Sequence, residues 1–181
     1  MPVVIGAKPS PGFSSPIELL SDCHRRIEGF LAVLVKVCGQ VQGGSMSDPQ
    51  RRDWRNALEY FRIAAPRHTA DEEESLFPRL RQMDSTGVES ALTAMDALEA
   101  DHERASAWHE QVDQLGTRWL DHGTLPREET RLLAETLARL RQLYDRHIAV
   151  EDNHVFPLAA ALLSDAVKFD IGAEMAERRI E

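Results

Sequence analysis

The chain reads as an all-α protein: an up-down-up-down four-helix bundle with an additional C-terminal helix. Three observations predict this. Apolar residues recur every three or four positions over four long stretches, the period of a helix face turned toward a core. No stretch alternates apolar and polar residues with the period of two that a half-buried strand needs. One eleven-residue pattern occurs twice, His-x-Ala-x-Glu-acid-x-x-apolar-Phe-Pro, from His68 to Pro78 and again from His147 to Pro157. A shorter echo precedes each copy. Leu20-Ser-Asp-Cys-His24 resembles Leu98-Glu-Ala-Asp-His102, with His24 lying 44 residues before His68 and His102 lying 45 before His147.

The elements follow in order. Residues 1–14 are rich in Pro, Gly and Ser and read as a flexible arm. Ser15-Pro16-Ile17-Glu18 then predicts a capped helix start. The inner stripe of this first helix is Ile17, Leu20, His24, Ile27, Leu31, Leu34 and Cys38, ended by Gly39, Gly43 and Gly44. Ser47-Asp48-Pro49-Gln50 opens a second helix with the stripe Trp54, Leu58, Phe61, Ala65, His68 and Glu72. Pro66 should bend it, and Pro78 should kink or end it. Thr86-Gly87-Val88-Glu89 is a capping box for a third helix, striped by Met95, Leu98, His102, Ala105, His109 and Val112. After the loop at residues 121–126, a fourth helix carries Glu128 and Glu129 in its first turn, where acids suit the helix dipole. Its stripe is Leu133, Leu137, Leu140, Tyr144, His147 and Glu151. Residues 15–163 form the bundle, and residues 164–181 hold a fifth helix over 165–179, with Val167, Phe169, Ile171 and Met175 as its apolar residues.

Composition narrows the function. The 181 residues fit one domain, with 43% apolar and 28% charged side chains. Thirty acids against 21 bases give a net charge of −9 and leave no basic block, which excludes nucleic acid and anionic membrane as partners. The longest apolar run, residues 30–35, is far too short to span a bilayer. Residues 1–16 lack a long apolar run and do not read as a secretory signal. Cys23 and Cys38 form no C-x-x-C pattern and read as reduced thiols of a cytoplasmic protein.

Residues four apart on a helix share a face. His68 with Glu72, and His147 with Glu151, therefore both continue apolar stripes into the core. His24 and His102 do the same from the other two helices. An ionised carboxylate in such a core costs several kcal/mol, about 3–5 if unpaired, unless a cation compensates it. Nothing in the set of two carboxylates and four imidazoles is a fixed cation. Two divalent metal ions supply +4 against −2 from the carboxylates and −1 from a bridging hydroxide. Mixed imidazole and carboxylate ligands suit iron or manganese, and zinc less well. A lone His-x-x-x-Glu pair is usually a local contact. The duplication with two further histidines at matched offsets turns the balance toward a dinuclear metal site at His24, His68, Glu72, His102, His147 and Glu151.

These residues resemble the hemerythrin family, also called the hemerythrin-like or HHE cation-binding domain, over residues 15–163. The resemblance rests on His24, the two long motifs and Asp101-His102-Glu103. It implies a non-haem di-iron centre with an oxo or hydroxo bridge, manganese and zinc being the alternatives. His24 and His68 would serve one iron, His102 and His147 the other, and Glu72 and Glu151 would bridge. It implies a protein that binds or senses O2, NO, peroxide or iron. The competing reading is a di-iron oxidoreductase, for example a peroxide-decomposing one. Iron–sulfur cluster repair ranks lower because residues 1–14 contain no cysteine. A metal-free helical interaction module ranks last. Ferritin-like carboxylate proteins place the acid before the His at an offset of three, the reverse of the order here. Oxygen-carrying hemerythrins have a further His at the position of Ser106. Its absence speaks against simple reversible oxygen carriage.

Other polar residues are read as background. His109 lies about 10 Å along the helix from His102 and is expected to be a buried hydrogen-bonded ring. His154 is expected at the rim, His122 in a loop, and Tyr144 in the core near the site. Glu103 is expected as a solvated charge and Cys23 pointing away from the metal. The acidic run 71–74 reads as a solvated face apart from Glu72. Phe77 and Phe156 are expected to plug the bundle beside the carboxylates.

Overall fold

The computed structural model describes residues 12–83 and 89–180, with residues 89–92 described by backbone alone. Four rods and a cap make up the fold. The first rod is α1 (Pro16–Val41). The second is α2 (Asp48–Ala70), which passes through a π-helical turn (Asp71–Leu76) into α3 (Phe77–Arg81). The third is α4 (Glu89–His122). The fourth is α5 (Arg127–Val150), which passes through a second π turn (Glu151–Val155) into α6 (Phe156–Leu162). The cap is α7 (Asp165–Glu177). Helix α1 packs against α2 and α5, and α4 packs against the same two, so the rods close a ring around one core. Among the described residues there is no strand, and no helix is long and apolar enough to cross a membrane.

The four inner stripes are buried along nearly their full length; His109 alone is only half-buried. They form two apolar blocks. One holds Leu34, Val37, Leu133 and Leu137, with Trp54 and Trp119 packed edge to face at 5.2 Å. The other holds Leu20, Leu76, Leu80, Met95 and Leu98 and is closed by Ile171 and Met175 of α7. Full burial of a side chain such as Leu or Phe contributes about 1.5–3 kcal/mol. The two blocks lie on either side of a polar layer and offset its cost. Gly116, inside α4, lets α2 come close: a Cβ there would meet Trp54 Nε1 at 2.9 Å and Leu58 at 3.1 Å.

Several local expectations change. The Ser15 hydroxyl does not cap α1; the Ser15 backbone sits at φ −131°, ψ 68°, outside capping geometry. Pro16 alone marks the start. Gly39 is carried inside α1, which ends two residues later. Gln42, at φ 50°, and Gly43, at φ 79°, make the turn. A side chain on Gly43 would strike Thr130 and the carbonyl of Leu125. The expected capping box at Thr86 lies outside the described residues, as do residues 1–11 of the arm. Phe13, within the arm, lies on α7: its carbonyl covers Gly172, and its ring sits 5.5 Å from the Arg179 guanidinium. Helix α4 reaches His122, which is exposed in the last turn rather than in a loop. Helix α7 stops at Glu177, and Phe169 is 72% exposed rather than part of the packed face. The i, i+4 row of Val167, Ile171 and Met175 faces the bundle, and Phe169 stands off it.

Pro78 does not end the second rod. The Phe77 N–H bonds the Glu72 carbonyl, five residues back, and Phe156 does the same to Glu151. A proline inside an α-helix has no N–H and presses on the carbonyl four residues earlier. The wide π turn just ahead of each Phe-Pro takes up that conflict, and the α-helix resumes with Pro in its first turn. Each long motif therefore folds as one α–π–α unit, with its glutamate at or next to the first position of the π turn.

Candidate metal centre

The structure brings all six sequence-derived candidates together between the apolar blocks. His24, His68, His102 and His147 are buried, and Glu72 and Glu151 are fully so. They form two overlapping sets: His24, His68, Glu72 and Glu151, and Glu72, His102, His147 and Glu151. In each set one ligand-type atom per residue lies within 4.8 Å of the rest. The two glutamates belong to both.

Each glutamate reaches histidines of both sets. Oε1 of Glu72 lies 3.2 Å from His68 Nε2 and 3.8 Å from His24 Nε2, while its Oε2 lies 3.3 Å from His102 Nε2. Oε2 of Glu151 sits 3.0 Å from His24 Nε2 and 3.1 Å from His147 Nε2. Nε2 of His102 and Nε2 of His147 face each other at 3.1 Å. The His102–His147 contact is a hydrogen bond, whereas the glutamate–histidine contacts are charge contacts without hydrogen-bond alignment. Both oxygens of Glu72, both of Glu151, and Nε2 of His24 are buried with no hydrogen-bond partner. An unpartnered buried carboxylate is expensive. Donor atoms each about 2.1 Å from one ion stand about 3–3.4 Å from one another. All of these separations but the 3.8 Å between His24 and Glu72 fall in that range, and the unpartnered carboxylate oxygens converge with the imidazoles as they would on a metal.

The charges agree. Burial alone would lower the His24 pKa, but contacts to Glu151 and Glu72 reverse the sign and hold it at about 10. His102 is held at about 9 for the same reason, chiefly by Glu72. Burial alone would raise Glu72; the charge of His68 and the contacts from His102 and His24 hold it well below the ordinary carboxylate value. Burial outweighs Glu72 at His68 and lowers its pKa. Without metal, protons on imidazoles are what balance the carboxylates.

A supporting layer was read wrongly from sequence. Of the acidic run, only Glu74 is exposed; Asp71 is buried and Glu73 partly so. Glu73 Oε1 accepts from Nδ1 of His102 at 2.7 Å, and Asp152 Oδ1 accepts from Nδ1 of His24 at 3.1 Å and from the Ser21 hydroxyl at 2.8 Å. A carboxylate can only accept, so each fixes the proton on Nδ1 and turns Nε2 to the centre, the tautomer a metal ligand needs. Phe77 lies parallel to His102 at 6.5 Å, and Phe156 lies parallel to His24 at 5.2 Å. The phenylalanines back the lone histidines. Each π turn thus holds the single histidine of the other half. The motif itself carried the signal: an acid follows the glutamate in both copies. Asp71 is also fully buried, paired with Arg178 at 3.1 Å and Arg179 at 2.6 Å.

The background residues mostly fall as expected. Glu103 and His154 are exposed, and Cys23 is buried away from the six. His109 Nε2 meets the Tyr144 hydroxyl at 2.9 Å. One further feature has no counterpart in the sequence pattern. A cavity of about 380 Å³ has the four histidines as its floor. Exposed Pro66, Ser106 and Glu110 stand at its mouth between α2 and α4.

Comparison with known proteins agrees with this geometry. The hemerythrin HHE cation binding domain matches residues 15–159. An uncharacterized protein of Haemophilus influenzae is 29% identical over 167 residues, spanning 92% of this chain and 91% of the relative.

Proposed function

The chain belongs to the hemerythrin HHE cation-binding family, and from that premise we propose that it holds two non-haem iron ions among its six inward groups and binds or senses O2, NO, peroxide or iron there. The single observation that carries this is the sharing of Glu72 and Glu151 between two four-residue ligand sets. His24 and His68 would hold one ion, His102 and His147 the other, and both glutamates would span the pair. Iron in that position supplies a redox-active Lewis acid. The residues do the rest. Glu73 and Asp152 hold two imidazoles in the ligating tautomer. Phe77 and Phe156 exclude water behind them. Ser106, small where a further histidine would crowd the centre, leaves the approach from the cavity open. Two buried free thiols suit a cytoplasmic setting.

The cavity favours a second reading, a di-iron oxidoreductase, because it offers far more room than a diatomic ligand needs. One experiment separates the two. Protein purified without oxygen is loaded, its iron counted, and its visible spectrum followed as O2, NO or peroxide is added. About two irons per chain and a stoichiometric spectral change support binding or sensing. Sustained catalytic consumption of peroxide supports the enzyme. Less than one tightly held metal per chain contradicts both.

A further inference from the structure

A ring that ligates a metal through Nε2 keeps its proton on Nδ1, and that N–H is ordinarily given to a carboxylate, a carbonyl or water. The four imidazoles differ there. Nδ1 of His102 meets Glu73 at 2.7 Å, and Nδ1 of His24 meets Asp152 at 3.1 Å. Nδ1 of His147 and Nδ1 of His68 are both buried with no hydrogen-bond partner. Buried polar atoms in native proteins are nearly always partnered. The surroundings of these two nitrogens are not alike.

Asp101 stands beside His147. Its Oδ2 lies 3.7 Å from Nδ1, too long for a hydrogen bond but within about 1 Å of one. Its Oδ1 is held by Arg104 at 2.7 Å, three residues along α4. Arg104 is 56% exposed, and an ion pair of that kind holds a carboxylate only weakly. A small turn of Asp101 toward the imidazole therefore costs little, and it satisfies a buried N–H. His68 has no such neighbour. Among the described residues, the only carboxylate paired with its ring is Glu72, on Nε2.

The sequence marks the same difference. Asp101 precedes His102 in the echo that ends each lone-histidine stretch, and Cys23 holds the equivalent place before His24. The position of His102 and His147 thus has a carboxylate behind both imidazoles, and the position of His24 and His68 has one behind His24 alone. A carboxylate behind a ligating imidazole raises its basicity, and its loss typically weakens metal about 10–100-fold.

We propose that Asp101 is a positioning residue for His147, accepting from Nδ1 when a divalent metal sits on Nε2, and that the position of His102 and His147 is in consequence the tighter of the two. The proposal deepens the reading of a metal pair, on which it rests, by setting the order in which the pair is filled.

The probe is Co(II), titrated without oxygen into the metal-free full chain and followed by its visible bands. Two steps are expected, the first tighter by about tenfold or more. Crystals holding one equivalent should show the stronger anomalous peak between His102 and His147. Asp101→Asn keeps the size of the side chain and removes its charge. It should weaken the first step about 10–100-fold and change the second by less than about threefold. Arg104→Ala, which frees the carboxylate, should leave the first step as tight or tighter. In the Co(II)-loaded protein, a ligating ring whose Nδ1 proton is held gives a slowly exchanging, paramagnetically shifted N–H resonance. Asp101→Asn should speed the exchange of one such resonance, which a loss of general stability would not do selectively. Circular dichroism and the thermal transition check that each variant folds, and the order of filling in the unaltered chain needs no variant. Two cobalt ions bound with equal affinity, the stronger peak between His24 and His68, or a first step unmoved by Asp101→Asn overturns the proposal and leaves the metal pair standing. No cobalt among the six groups overturns the proposal and that reading together.

Discussion

The two π turns present the same inner face and opposite outer faces. Inside, both aim a glutamate at the centre, and both hold the other half's histidine with an acid and a phenylalanine. Outside, the first turn is clamped. Asp71 is fully buried against Arg178 and Arg179, Ser75 bonds Glu174 at 2.5 Å, and Arg79 meets Glu174 at 2.7 Å. The second turn has Val150 and His154 at the positions of Asp71 and Ser75, and Asn153 and His154 are exposed. The difference teaches that the duplicated pattern was kept for the centre and diverged for anchoring. Only one turn had to receive α7.

The inner symmetry can be broken most severely at the bridges. Glu72→Ala or Glu151→Ala should remove tight binding at both metal positions, an affinity loss above about 100-fold, because each serves both sets. His68→Ala should cost chiefly the position it shares with His24. Metal counts after dialysis check this. Equal, full metal content in the glutamate variants would refute the bridging role.

Acidity should act next most strongly. His24 at about 10 and His102 at about 9 are protonated at pH 7 in metal-free protein. Loading must displace both protons, so affinity should fall about 100-fold per pH unit below 9 and about two protons should be released near neutral pH. The sign for stability is the opposite. With folded values raised above the ordinary 6.5, these imidazoles stabilise metal-free protein fully below that pH. The contribution is lost as pH rises through about 9 and then 10. Proton release is read in weakly buffered solution, and thermal scans across pH 6–10 read the rest.

The outer asymmetry is tested by Asp71→Val, which gives the first turn the residue of the second. It removes the buried carboxylate that both arginines share, while Arg178 keeps Glu74 and Ser75 and Arg179 keeps the Met175 carbonyl, so about 2–4 kcal/mol and about 5–12 °C of melting temperature should be lost. Glu73→Gln and Asp152→Asn probe the inner symmetry again. Each should weaken metal about 10–100-fold and by similar factors, since each orients one histidine from the opposite half. Asn153→Ala, on the exposed outer face, should change stability by less than about 0.5 kcal/mol.

The bundle and the six inward groups were legible because a helix turns a spacing of four into a shared face, and because His68-to-Pro78 and His147-to-Pro157 repeat. The π turns were not, since one extra residue per turn leaves the apolar stripe nearly unchanged. Phe-Pro closing each motif was their only trace. Asp71 reads as one acid in an acidic run until Arg178 and Arg179 arrive from more than 100 residues away. The role of Glu73 was visible as a repeated acid, but its partner, His102, sits on another rod. The cavity is lined by residues of all four rods, Ala65 and Ala105 among them, a tertiary fact that no local pattern records.

The most direct measurement is an anomalous-scattering map from crystals of iron-loaded protein. Two peaks should lie within the bundle, one between His24 and His68 and one between His102 and His147, each in reach of Glu72 and Glu151. A single peak elsewhere, or six groups bonded only to one another with no ion among them, would contradict the account.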